Sequence, residues 1–321
     1  MGSSGRRGAA GPSADVVVGI AVWVVLFALS TGPLADRIGV LEGLWLLAPL
    51  VVVPMGLALL RPPRELLGEL TIARRLALPA AIVVVVGILA DPGAVAAWLT
   101  APWVAVMVLA LWVGLRWFAL MPSLRAKTVV PVAGLVFLAA SAAALVAWQG
   151  QLRPAGSSDT SMALVAVHAA FAGFGVAVAA DRTRAAATRR RSRSIAGAAG
   201  LASVCSAAVL VVGFLTEGRA VGLLGSVLLA VSLLALALVT LIYALRRERA
   251  AGASALLVVS SGSLLFALAL AVQYAFARWN DSYTLSITRM LELHGTVSGL
   301  GFVVGALLGW TLAAVPDDDE V

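Results

Sequence analysis

Apolar residues fall in long blocks along the chain, and short stretches rich in glycine, proline and charge separate them. Crossing a hydrocarbon core of about 30 Å takes about 20 mostly apolar residues in a helix. On apolar length and punctuation, ten blocks qualify as spans: 16–35, 40–60, 74–90, 94–115, 129–148, 161–180, 195–215, 220–245, 253–276 and 286–313. The third is the shortest, and Asp91-Pro92-Gly93 turns the chain into the fourth, so the two read as a helical hairpin. The stretch from Arg61 to Arg75 reads as a short interfacial helix. The expected fold is all-α, a polytopic transmembrane helical bundle in one domain over 16–313. A disordered segment, 1–15, precedes it and an acidic tail, 314–321, follows.

Composition agrees with the pattern. Of 321 residues, 61% are apolar and 12% charged, against about 45–50% and about 25% in soluble domains. A water-soluble domain and a disordered chain are both excluded. The net charge of +7 does not mark a nucleic-acid binder, because the basic residues lie in short connections between apolar blocks. With the amino terminus inside, 18 of the 23 Lys and Arg residues fall on the inner side: Arg6, Arg7, Arg61, Arg64, Arg74, Arg75, Arg116, Arg125, Lys127, six in the run Arg182–Arg193, and Arg246, Arg247 and Arg249. Only Arg37, Arg153, Arg219, Arg278 and Arg289 fall outside. The positive-inside rule therefore predicts ten spans in the plasma membrane, with both termini cytoplasmic. The Arg182–Arg193 run reads as a topology signal, and Asp317-Asp318-Asp319-Glu320 as a solvated end. The single cysteine, Cys205, cannot form an intramolecular disulfide and reads as a small buried hydrophobe. Trp23, Trp45, Trp98, Trp103 and Trp310 read as interface anchors.

Ionisable groups inside a membrane are costly and mark candidate sites. The two histidines, His168 and His294, both fall in spans, and their surroundings repeat. One reads H-A-A-F-A-G-F-G and the other H-G-T-V-S-G-L-G, with a small residue four positions on and glycines five and seven positions on. Glycines at those steps let a neighbouring backbone or a ligand come close. Both spans run the same way, so the imidazoles are expected at similar depth in the outer half of the membrane. Glu42 opens the second span, where Pro49 and Pro54 are expected to bend the helix. Glu292 precedes His294 by two residues, which sends the side chains to nearly opposite helix faces. Arg289 lies three residues before Glu292 and is placed to pair with it. The alternative for Glu292 is a buried carboxylic acid that donates a proton. The candidate catalytic set is thus His294, His168, Glu42 and Glu292. Ser298, Arg289, Phe171 and Phe302 are the expected substrate contacts. Phosphate-loop, nucleophile-elbow and H-E-x-x-H motifs are absent, and no span holds paired aspartates for diphosphate–magnesium chemistry. No cofactor is expected, although a haem or a metal held by His168 and His294 is the alternative.

The stretch Ile287-x-x-Met290-x-x-x-His294-Gly295, followed by Gly301-Phe302 and Gly309-Trp310, resembles the YndJ-like family of bacterial integral membrane proteins. Ser298 stands where that pattern has asparagine. The segment from His168 to Gly173-Phe174 is similar to the family's histidine-rich stretch, with Ala170 in place of a second histidine. Glu42 through Pro49 and Pro54 gives a third match, and Pro102-Trp103 a weaker fourth. The resemblance implies the same topology and singles out His168, His294 and Glu42. It supplies no established reaction.

The residues favour a membrane-embedded acid–base enzyme, a cyclase or isomerase acting on a lipophilic molecule such as an isoprenoid or polyketide. A carboxylic acid would protonate the substrate and a histidine would take a proton away. A small-molecule permease is the second reading, weakened by the lack of an inverted repeat or a broken helix pair. A non-catalytic membrane component is the third. The expected partners are the lipid bilayer and a lipophilic small molecule, with no nucleic acid; the sequence assigns no oligomeric state.

Overall fold

In hydrocarbon every backbone N–H and C=O must find its partner within the chain. The protein meets that demand with helices: in the computed structural model, which describes residues 12–246, 250–283 and 285–313, every regular element is helical. The first helix is α1 (Ala14–Ser30). It is followed by α2 (Val40–Leu59), α3 (Arg64–Leu89), α4 (Ala101–Leu120), α5 (Ala126–Gln149), α6 (Asp159–Ala186), α7 (Arg190–Leu215), α8 (Arg219–Ala244), α9 (Ala251–Trp279) and α10 (Ile287–Leu312). Among the described residues, nine of these are long and apolar enough to cross a membrane, and α1 is a shorter apolar helix of 17 residues. The fold is the expected all-helical membrane bundle, with the first of the ten apolar blocks realised as the short helix α1 packed against α2.

Two helices form the centre. α2 is buried all round from Leu44 to Leu57, as a helix that is apolar on every face should be. α6 touches α2, α5, α7, α8 and α10. Both contain a π-helical turn, over Ala48–Val52 in α2 and Ala169–Gly175 in α6. α10 contains two, Leu291–Gly295 and Val297–Val304. The π turns of α2, α6 and α10 touch one another. In α2 the cause is proline. Pro54 has no N–H to offer the carbonyl of Leu50 four residues earlier. Gly19 of α1 packs against that oxygen so closely that a Cβ there would lie 1.9 Å from it.

Several expectations need correction. The third span is a full-length helix, because residues 64–75 continue into it and form no separate interfacial helix. Arg74 donates from Nε to the Leu57 carbonyl at 2.7 Å, which satisfies an acceptor at the end of α2. The fourth span is preceded by a short helix, Ala94–Leu99. The run from Arg182 does not begin in a loop. Asp181, Arg182 and Thr183 are buried in the last turns of α6, where Asp181 accepts from Arg182 at 3.4 Å and from Arg184 at 3.1 Å. Of the tryptophans taken as anchors, Trp23, Trp45, Trp103 and Trp310 are buried and Trp98 is exposed. Trp23 donates to the Gly43 carbonyl at 2.9 Å and so joins α1 to α2. Cys205 faces outward from α7. The amino-terminal arginines, Arg247, Arg249 and the acidic tail lie outside the described residues.

Close backbone approach holds the peripheral hairpin as well. A Cβ on Gly225 of α8 would lie 2.7 Å from the Leu210 amide nitrogen of α7, whereas Gly262 of α9 has open space. Gly225→Ala is therefore expected to cost about 1–3 kcal/mol, because backbone has to move to admit the methyl group. Gly262→Ala is expected to be neutral, or to stabilise by up to about 1 kcal/mol through helix propensity. Thermal unfolding of the two purified variants checks the contrast, and equal shifts would refute the assigned packing.

Candidate functional site

One cavity of about 400 Å³ opens between α6, α7, α8, α9 and α10, with Leu44 of α2 on its wall. Its lining is mostly leucine, alanine, valine and phenylalanine. It begins at Ser158, Glu217 and Arg278 near the helix ends and stops at Val176 of α6 and Val303 of α10. Beyond that level Ala177–Ala180 and Ala306–Leu307 are buried in packed helices.

Both histidines line this cavity. His168 sits where α6 passes from α-helix into its π turn, and His294 sits within the first π turn of α10. π turns often mark functional sites. The His168 Nδ1 lies 2.8 Å from the Leu164 carbonyl oxygen, and the His294 Nδ1 lies 2.9 Å from the Ala267 carbonyl oxygen of α9. A carbonyl oxygen only accepts, so in each neutral ring the proton belongs on Nδ1 and Nε2 is the lone-pair nitrogen. Neither Nε2 has a hydrogen-bond partner among the described residues, and neither is sealed in the packing as the Trp45 and Trp310 Nε1 atoms are. Both rings thus line the cavity with Nε2 free of a hydrogen-bond partner among the described residues. The Phe214 ring stacks at a tilt on His168, with centroids 4.6 Å apart.

The repeat after each histidine has a packing cause. A Cβ on Gly173 would lie 2.3 Å from the Phe137 ring, and one on Gly175 would lie 2.6 Å from Val303. In α10, Gly299 receives Phe171 and Gly301 receives Ser263. The glycines let α5, α6, α9 and α10 close around the histidines.

The other expected site residues divide. Phe171, Phe302 and Ser298 line the cavity. Ser298 donates its hydroxyl proton to the His294 carbonyl at 2.6 Å and so turns only lone pairs toward a ligand. Glu42, Glu292 and Arg289 are not on the lining. Glu42 accepts from the Gly39 amide at 3.0 Å and caps the start of α2. Glu292 accepts from Arg289 at 2.9 Å. No group of three or more His, Cys, Asp or Glu side chains occurs among the described residues, so His168 and His294 are the side chains that would hold a metal or haem here.

The cavity mouth carries polar groups, of which Arg219 and Arg278 are expected from the sequence only as outer-side charges. Glu217 accepts from the Ser161 hydroxyl at 2.9 Å and from the Ser158 amide at 3.2 Å, joining the α7–α8 turn to the start of α6. Arg219 pairs with Asp281, and Arg278 donates to the Glu217 backbone carbonyl at 3.3 Å. Glu217 and Asp281 both have left-handed backbones, with φ of 51° and 53°. Glycine is the usual residue just past a helix end, and the acid in each place spends its side chain on a tether. Glutamate in that conformation was the one local signal that could have found the mouth, but φ is not written in sequence.

The protein is a multi-pass helical membrane protein with one apolar, two-histidine cavity in one half of its bundle. A family model described as YndJ-like protein matches residues 43–302, and the chain belongs to the YndJ-like family. No curated protein and no solved structure matches it.

Hydrogen bonding by the Ser158 side chain, the Ser161 hydroxyl and the Ser158 amide holds the Glu217 carboxyl below the usual glutamate range. A depressed folded-state value means that its contribution is present above the ordinary glutamate range and is lost as pH falls through the lowered value. Amide exchange at residues 158–161 is therefore expected to be protected at neutral pH and to accelerate only under acid conditions. Glu217→Ala should expose those amides at every pH. Unchanged protection in that variant would show that the tether does not hold the start of α6.

Proposed function

We propose that the cavity is the active site of an intramembrane acid–base enzyme that isomerises a lipophilic small molecule, of isoprenoid or polyketide type, without a cofactor. The observation that carries the reading is the pair of imidazoles lining one apolar cavity, each held through Nδ1 by a backbone carbonyl and so left with its Nε2 lone pair to offer. One Nε2 takes a proton from a carbon beside a carbonyl or double bond, and the electron pair of that C–H bond moves into the conjugated system. The resulting imidazolium keeps its Nδ1–H on the carbonyl oxygen. Its Nε2–H then returns the proton at the far carbon of the same system, so atoms and charge balance with no co-reactant. Water exclusion by the apolar walls protects the carbanionic intermediate. A cavity that stops at Val176 and Val303 supports an enzyme over a permease, since packed helices lie below it.

His294→Asn is expected to lower conversion by roughly a hundredfold or more, the usual weight of a general base. Untargeted mass spectrometry of cells and medium should show an isomeric precursor accumulating in this variant and in a deletion strain. Redistribution of unchanged compounds between cells and medium would favour transport instead. No change in either fraction would sink both readings.

We also propose that both termini are cytoplasmic and that the mouth faces outward, on the strength of the excess of Lys and Arg at the opposite helix ends. In a Cys205→Ser background, Ser282→Cys should react with an impermeant maleimide in intact cells and Leu124→Cys should not. The reverse pattern would invert the orientation.

A further inference from the structure

Resting on the reading of the cavity as a substrate site, we infer that its occupant is an amphipathic anion: one apolar chain ending in a single carboxylate held at Arg278. Three charged side chains line the mouth, Glu217, Arg219 and Arg278. Two are committed. Glu217 is spent on Ser158 and Ser161 at the start of α6, where the helix end favours its negative charge. Arg219 is neutralised by Asp281. Arg278 differs: it makes no ion pair within 4 Å among the described residues, its charge acts on the Glu217 carboxylate only at longer range, and its hydrogen bond runs from Nη2 to the Glu217 backbone carbonyl. A guanidinium has five N–H donors in a planar fork that matches a carboxylate, so most of its capacity faces an incoming ligand. Tyr274 lies four residues before Arg278 and lines the same cavity, adding a hydroxyl on that face of α9.

The reach of such a ligand follows from α9. Ala267, whose carbonyl holds His294, and Arg278 are both on this helix, eleven residues and so about 16 Å apart at the helical rise. An extended chain of about a dozen carbons covers that distance at ordinary bond lengths. The head group at Arg278 would therefore set the position along the chain that meets the imidazoles, which makes the mouth a ruler for regiochemistry. Leu223, Ala271 and Leu268 line the stretch between them.

The test uses the full chain in nanodiscs of zwitterionic lipid, with empty discs subtracted. Retention of radiolabelled dodecanoate, dodecan-1-ol and dodecylamine is compared. Dodecanoate is expected to bind best, to weaken tenfold or more in Arg278→Gln and to recover in Arg278→Lys, while dodecan-1-ol is unaffected by either change. Amine binding equal to that of the carboxylate, or undiminished dodecanoate binding in Arg278→Gln, would overturn the assignment. If Arg278→Gln loses dodecan-1-ol as well, the order of the three head groups on the unaltered protein decides. Loss of dodecanoate in Arg278→Gln alongside full conversion by His294→Asn would leave the head-group site standing and remove the base. Conversion lost in His294→Asn with no preference for the carboxylate would do the opposite.

Discussion

The structure depends on how backbone hydrogen bonding is kept closed where α2, α6 and α10 cross. Three helices cannot approach this closely with regular α geometry and full side chains at every position. The chain solves the problem with π turns, which add a residue to a turn without opening the backbone ladder to lipid. Glycines stand where a Cβ would collide: Gly175 against Val303, and Gly56 against Phe174. His168 lies at the start of one irregular segment and His294 within another, so the geometry that closes the bundle also aims the rings. Each ring is pinned by a carbonyl, one from its own preceding turn and one from α9. The candidate chemistry is in that sense a by-product of close packing, since an imidazole clamped at Nδ1 has one nitrogen left to present.

The opposite requirement applies at the mouth, where helix ends must be held together without sealing the cavity. The tethers there are polar and cross between elements: Glu217 to the start of α6, Arg219 to Asp281, and Arg278 to the α7–α8 turn. Exposed ion pairs contribute little to stability, so these contacts position more than they stabilise. The buried Asp181–Arg182–Arg184 cluster at the other end of α6 differs in kind. Charges that leave water need partners, and Asp181 supplies one to both Arg182 and Arg184.

The all-helical class and nine of the ten expected spans were legible in the sequence because apolar length decides both, and His168 and His294 stood out because ionisable groups are rare inside spans. What was not legible depended on side-chain direction. Glu42 falls near the site by position along the chain, yet its side chain caps α2; the Arg289–Glu292 pair, by contrast, follows from the spacing and forms. Arg74 and Arg182 count the same as any loop arginine in a topology tally, although one caps α2 and the other is buried in α6. The tryptophans were misread for a similar reason: an aromatic near a span end is an interface anchor only if its helix face meets lipid, and the faces bearing Trp45 and Trp310 meet other helices. The repeat after the histidines was visible, but its meaning needed the third dimension, because each glycine answers to a residue on another helix.

The placement of the carboxylates bears on which reaction the proposed site would run. Opening an epoxide or protonating an alkene calls for a strong acid in contact with the substrate, and a carboxylic acid in an apolar pocket is the usual source. Glu42 and Glu292 are both engaged elsewhere, and Glu217 is at the mouth, held in its anionic form by three hydrogen-bond donors. The groups left at depth are two imidazoles, each with its Nε2 lone pair to offer. That inventory suits a proton shift along an already activated carbon chain better than a cyclisation begun by acid. It also gives the head-group site a purpose. A flexible apolar chain offers many similar carbons to a base, and a base fixed to the backbone selects among them only if the far end of the chain is fixed as well.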